Sequence, residues 1–196
     1  MAVINFHSVT KNYKTGFRKK KTALKNFSLD IHEGEVFGFL GPNGAGKSTS
    51  IKILLNLIFP TLGTAHILGI SVRNAEVRRF VGYLPENPYF YDYLNPTELL
   101  QFAGKTSGML AGDITKKTEE LLHIVGLWSD RKRPIRSYSK GMVQRTGLAI
   151  ALINDPRIVI LDEPMTGLDP IGRRQVIDLI LKLKSEGKTI FFSSHI

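Results

Sequence analysis

Cysteine is absent from the 196 residues, which excludes disulfides and thiolate metal sites and leaves a reducing compartment allowed. No apolar run approaches the roughly 18 residues that a membrane-spanning helix needs. The opening MAVINFHSVT has no basic start followed by an apolar core. Neither a secretory leader nor a spanning helix is read from it. The chain is poor in Trp, with one residue, and acids (17) are outnumbered by Lys and Arg (27), for a net charge of +10. That balance suits an anionic partner such as nucleotide, nucleic acid or lipid headgroups, without choosing among them. At 42% hydrophobic and 22% charged, the composition is that of a globular chain able to bury one substantial core, with a smaller lobe attached.

What is present centres on GPNGAGKST, Gly41 to Thr49, which fits G-x-x-x-x-G-K-[ST] at Gly41, Gly46, Lys47 and Ser48. Gly41, Gly44 and Gly46 lack Cβ atoms, so the backbone between them can turn left-handed and aim N–H groups at an anion. Pro42, Asn43 and Ala45 complete the loop. Lys47 would reach the terminal phosphates of a nucleotide, and Ser48 would offer its hydroxyl to Mg²⁺. The flanks agree with this reading. Val36 to Leu40 reads as a buried strand entering the loop and Ser50 to Ile58 as the helix leaving it. A glycine-rich turn with a solvated lysine is the plain alternative, and it explains neither flank.

Taken in order, Ala2 to Tyr13 alternates as an antiparallel strand, and Ala23 to Leu40 supplies two more, turning at His32 to Gly34. Between them, Lys11, Lys14, Arg18, Lys19, Lys20, Lys21 and Lys25 form a basic run with no acid. A solvated hairpin is the simpler reading of it, a lipid or nucleic-acid contact the sharper one. Tyr13 either packs at a strand end or stacks on a base. Thr64 to Ser71 reads as a bent strand, Ala75 to Asn87 as a helical turn, the strand Phe80 to Leu84 and a loop. At Asn95 the texture becomes helical. Asn95, Pro96 and Glu98 make an N-cap, a first-turn proline and a capping glutamate. A second helix fits Ile114 to Val125, stopped by Gly126, and a third follows Ser139.

Arg157 to Pro164 reads as a β-branched strand ending in adjacent carboxylates. Asp162 could hold Mg²⁺ and Glu163 could orient or deprotonate an attacking water; alone, the pair would be a solvated loop as often as a site. A helix over Ile171 to Ser185 and a buried strand over Lys188 to Ile196 close the chain. His195, past that strand, would point into the ligand crevice of a parallel sheet.

Six motifs in this order resemble the ATP-binding subunit of an ABC transporter. Gly41 to Thr49 looks like its Walker A, Ile158 to Pro164 its Walker B, YSKGMVQR (Tyr138 to Arg145) its signature and GLDP (Gly167 to Pro170) its D-loop. His195 falls at the switch histidine and Tyr13 at the aromatic that stacks on adenine. The resemblance implies an α/β P-loop NTPase with a mostly parallel core sheet, an N-terminal antiparallel β subdomain and an inserted helical subdomain. The core with β subdomain is expected over 1–86 and 156–196 and the helical part over 87–155. It implies ATP and Mg²⁺ as cofactors, with Ser48, Asp162 and Glu86 toward the metal and Glu163 and His195 catalytic. It also implies a head-to-tail dimer with a second ATPase subunit, a copy or close paralogue, in which Ser139, Gly141 and Asp169 reach the nucleotide of the other chain. A separate integral membrane permease would hold the dimer at the cytoplasmic face, and no specific nucleic acid is expected.

The signature departs from L-S-G-G-Q at Tyr138, Lys140 and Met142. Lys140 either adds charge near the phosphate or points to solvent. Glu86 stands where the family usually has Gln, and is expected to couple the permease to the site. Both departures look like the branch serving ABC-2 type permeases, mostly exporters. The family's domain normally continues beyond the histidine, so the strand Thr189 to Ser194 is expected to lack covering structure. An ABC-type ATPase acting on ribosomes or DNA is the second reading, lacking here the paired ATPase units or coiled coil; a P-loop kinase has no use for YSKGM.

Overall fold

Along Ala2–Lys14 (β1), Ile4 and Phe6 alternate into the core, as in a half-buried antiparallel strand. A register shift between Phe6 and Val9, with Ser8 at φ +49°, breaks the alternation and leaves Val9 in the same core. The computed structural model describes residues 2–14 and 20–195. β1 pairs antiparallel with Lys20–His32 (β2) and, on its other edge, with Leu62–Ile67 (β4). β4 turns through Leu68 and Gly69 into Ile70–Ser71 (β5), giving the sheet order β2-β1-β4-β5. Of the basic run, Arg18 and Lys19 lie outside the described residues. Lys14 and Lys20 face each other across the hairpin ladder, and Lys11 donates to the Phe59 carbonyl at 2.7 Å.

The second sheet is parallel throughout, in the order Val36–Leu40 (β3), Thr189–Ser194 (β8), Ile158–Leu161 (β7), Val81–Leu84 (β6). Its central strands are apolar on both faces because both faces are covered. Ile158, Ile160 and Phe191 join the core shared with the antiparallel sheet and helix Lys47–Leu54 (α1). Val159, Leu161 and Ile190 point the other way, into a core with the remaining helices. Between β6 and β7 run Pro96–Thr106 (α2), Ala111–Ile124 (α3) and Lys140–Leu152 (α4). The capping box forms as expected: Asn95 Oδ1 accepts from the Glu98 amide at 3.0 Å and Glu98 returns a carboxylate to the Asn95 amide at 2.9 Å. Pro170–Ser185 (α5) precedes β8.

The helix leaving the loop is displaced from its expected span of Ser50 to Ile58. It begins at Lys47 and ends at Leu54, because Asn56 takes φ +56° and the Leu57 amide turns back to the Lys52 carbonyl at 2.8 Å. An Asn in the left-handed region ends a helix even where the apolar pattern continues. α3 likewise starts earlier than Ile114.

β6 lies so close to the helical part that Gly82 has no room for a side chain. A Cβ there would stand 1.9 Å from the Ala151 carbonyl oxygen and 2.9 Å from Pro156 Cγ. Backbone cannot give way as a side-chain tip can. Gly82→Ala is therefore expected to destabilise by at least the roughly 1–3 kcal/mol of an overpacked core, read as a lowered midpoint in denaturant unfolding. A wild-type midpoint would show that β6 and the end of α4 can separate at little cost.

Candidate nucleotide site

The parallel strands β3, β7 and β8 end on the same side of the sheet, where ligands of open α/β folds bind. Each delivers one part of a cleft of about 490 Å³, lined by the loop Pro42 to Thr49, Glu163 and His195, with Glu86 from beyond β6 and Tyr13, Lys21 and Ala23 from the β1–β2 hairpin. The structure thus brings together the residues that the sequence singled out for phosphate, base and water.

The phosphate end is built from backbone. Gly44 and Gly46 sit at φ +88° and +93°, conformations that turn successive N–H groups inward. A Cβ on Gly46 would meet the Ala23 carbonyl oxygen at 2.7 Å, so glycine is required there for space as well as for φ. Gly46 caps α1 with no side chain bonded to the first turn, which leaves that helix's leading amides and its positive dipole end to the cleft. This is an anion cradle of the type that phosphates occupy.

Lys47 is buried, at 6% exposure. Its Nζ donates to the Gly41 carbonyl at 2.5 Å and the Pro42 carbonyl at 3.3 Å, and stands 3.6 Å from Glu163 Oε1. A buried ammonium needs such partners. Exchanging a carbonyl partner for a phosphate oxygen would strengthen its coordination, since an anionic oxygen replaces a neutral one.

At the carboxylate end, Asp162 Oδ1 accepts from Ser48 Oγ at 3.3 Å and from Ser193 Oγ at 2.6 Å. Hard hydroxyl and carboxylate oxygens suit Mg²⁺, which commonly keeps several waters and takes only one or two protein ligands plus phosphate. The Ser48 hydroxyl and the Asp162 carboxylate, 3.3 Å apart, are donors of that kind.

Glu163 is buried and takes φ +52°, a left-handed conformation that costs a non-glycine residue of order 1–3 kcal/mol and concentrates at functional sites. The carboxylate lies between Lys47 and His195. Oε2 accepts from His195 Nδ1 at 2.7 Å and from the His195 amide at 3.3 Å. An ionised carboxylate only accepts, which assigns the imidazole proton to Nδ1. Thus Lys47 and His195 hold the two oxygens of Glu163 in one orientation.

Tyr13 is 36% exposed at the cleft mouth. Its hydroxyl stands 3.5 Å from Thr49 Oγ1, and Lys11 Nζ lies 5.1 Å from its ring centre. Glu86 is exposed on the cleft wall. Behind it, burial first and then the Asp162 and Glu86 carboxylates push the Tyr83 hydroxyl up to about 12, so Tyr83 stays a neutral donor.

Ser139, Gly141 and Asp169 do not line this cleft. The Ser139 hydroxyl caps α4, accepting from the Met142 amide at 3.3 Å. The Asp169 carboxylate caps α5 through the Gly172 amide at 2.7 Å. These two helix starts touch: a Cβ on Gly141 would lie 3.2 Å from Leu168 Cδ2, and one on Gly167 2.6 Å from Lys140 Cδ. The Lys140 stem therefore lies across Gly167.

Four residues around the cleft were not singled out as site residues from the sequence: Lys21, Ala23, Tyr83 and Ser193. Two of them left a signal there, Lys21 as a member of the basic run and Ser193 as half of a Ser-Ser pair closing an otherwise apolar strand.

Comparison with known proteins follows the same lines. The chain is 47% identical over 198 residues to an uncharacterised ABC transporter ATP-binding protein of Synechocystis, covering 99% of this chain and 56% of that protein. It is 38% identical over 198 residues to the bacitracin transport ATP-binding protein of Enterococcus faecalis, covering 99% and 61%. With the lantibiotic transport ATP-binding protein of Streptococcus pyogenes it shares 41% over 177 residues, covering 90% and 75%. Against the first of these the chain spans about half the relative's length. Among solved structures, a dimeric ATP-binding cassette in a post-hydrolysis state with ADP and phosphate superposes with a TM-score of 0.90 at 29% identity, covering 98% of this chain and 88% of that one. The family model described as ABC transporter matches residues 24–166, and with these relatives it shows that the chain belongs to the ABC transporter family, as an ATP-binding domain.

Proposed function

We propose that this chain binds and hydrolyses ATP with Mg²⁺ as half of a head-to-tail dimer and drives a separate membrane permease, most simply for export. The observation that carries the reading is the division of parts. The phosphate cradle, Glu163 and His195 line one cleft, with Asp162 held against it through Ser48, whereas the start of α4 at Ser139 and Gly141 lines no part of that cleft. A second copy turned head to tail would supply that start to the exposed side of the nucleotide. The dimeric neighbour with ADP and phosphate supports the arrangement, and the bacitracin and lantibiotic transport relatives support a role in transport.

No helix among the described residues is long and apolar enough to cross a membrane, so a permease would be a separate chain or segment. Tyr89, Tyr91, Tyr93 and Phe102 are between 57% and 93% exposed, and exposed aromatic patches mark interaction surfaces. The three tyrosines lie in the segment that follows Glu86. A permease segment seated on them would be mechanically continuous with the cleft wall, which supports a coupling role for Glu86.

Purified protein is expected to hydrolyse ATP in a Mg²⁺-dependent reaction and to co-purify with a permease when the two are expressed together. Binding to RNA or DNA that weakens steeply with salt, without co-purification, would favour the ribosome- or DNA-directed alternative instead.

A further inference from the structure

The hydroxyl of Ser193 makes two hydrogen bonds whose directions are fixed by chemistry. The Glu163 amide can only donate, so Ser193 Oγ accepts from it, at 2.9 Å. Its own proton then goes to Asp162 Oδ1, at 2.6 Å. Ser193 is fully buried, at 0% exposure, so water cannot replace either bond. The register explains the placement: Ile160 pairs with Phe191 and Leu161 with Phe192 across β7 and β8, so the next rung sets Ser193 beside Asp162 on the same face. An apolar side chain on that rung would leave the Asp162 oxygen and the Glu163 amide without this partner.

We infer that Ser193 is a positioning residue for the hydrolytic step: one hydroxyl ties the metal-side carboxylate, Asp162, to the backbone of the water-side carboxylate, Glu163. The bond to the Glu163 amide holds the peptide at which the chain enters its left-handed turn, φ +52°. That turn puts the Glu163 carboxylate between Lys47 and His195. The bond to Oδ1 fixes the rotation of the Asp162 carboxylate, presenting it beside the Ser48 hydroxyl at 3.3 Å. Ser193 touches no nucleotide-facing space itself, and it does not line the cleft. Its loss should therefore spare binding and slow turnover. Partners of this kind, which orient a ligand or base without touching substrate, typically cost 10–100-fold when removed.

The inference rests on the ATP-hydrolysing function proposed above, and the test separates the two. Ser193→Ala is expected to bind ATP within about 2-fold of wild type while kcat falls about 10- to 100-fold. Ser193→Thr, which keeps the hydroxyl on a side chain suited to a strand, is expected to recover most of that loss. Independently of activity, hydrogen exchange of the Glu163 amide should accelerate in Ser193→Ala and not in Ser193→Thr. Wild-type kcat in Ser193→Ala, or equal losses in both variants with unchanged exchange at Glu163, would overturn the positioning role. A wild-type protein that neither binds nor hydrolyses ATP would overturn the function on which it rests.

Discussion

Glu163→Gln should leave ATP binding near its wild-type level and cut steady-state hydrolysis by roughly 10²-fold or more, the scale of losing a positioned base. The substitution changes almost no volume, so the left-handed turn at Glu163 and the Ser193 bond to its amide persist. The chemistry is what changes. A neutral amide cannot take a proton from an attacking water, and its nitrogen can no longer accept from His195, which now meets Glu163 Oε2 at 2.7 Å. Lys47 loses the anion 3.6 Å away and is left with the Gly41 and Pro42 carbonyls and the phosphates. ATP binding is expected to hold or tighten for that reason. With hydrolysis blocked, the ATP-bound dimer accumulates, seen as an ATP-dependent shift in sedimentation or size exclusion. Hydrolysis at the wild-type rate would remove Glu163 from the reaction.

Much of this site was legible before the structure because its parts announce themselves in local chemistry. Gly44, Gly46, Lys47 and Ser48 lie within one loop, and a strand ending in Asp162 and Glu163 is costly unless the carboxylates have partners. The buried strands followed from apolar runs such as Ile158 to Leu161, and their parallel arrangement from the family resemblance. Long-range placement was less legible. Nothing in the spacing states that Ser193 sits on the rung of Asp162, since that depends on β8 inserting between β3 and β7. Lys21 reaches the cleft only through its cross-strand pairing with Tyr13. The end of α1 was misread because one left-handed Asn56 outweighed an apolar pattern that continued through Leu57 and Ile58.

Gly141→Asp should have the opposite effect on assembly from Glu163→Gln. ATP would still bind to the single chain, because Gly141 is no part of the cleft lining. The ATP-dependent dimer would be lost, and hydrolysis with it, again by roughly 10²-fold or more, the scale of losing oriented donors at a developing charge. The start of α4 carries no acid in its first turn and is capped only by the neutral Ser139 hydroxyl, so its amides and dipole present positive potential to whatever approaches. A carboxylate placed there cancels that potential and repels the partner's γ-phosphate. Space is a lesser obstacle. The new Cβ would lie 3.2 Å from Leu168 Cδ2, which a side-chain tip can yield, so the melting temperature should barely move. Gly141→Ala controls for that contact by adding the Cβ without the charge, and should retain most dimerisation. Combining the two substitutions separates order from strength. If the α4 start closes the nucleotide site of the other chain, the double variant Gly141→Asp, Glu163→Gln stays monomeric with ATP bound. An ATP-trapped dimer in that double variant would show that another surface closes the site.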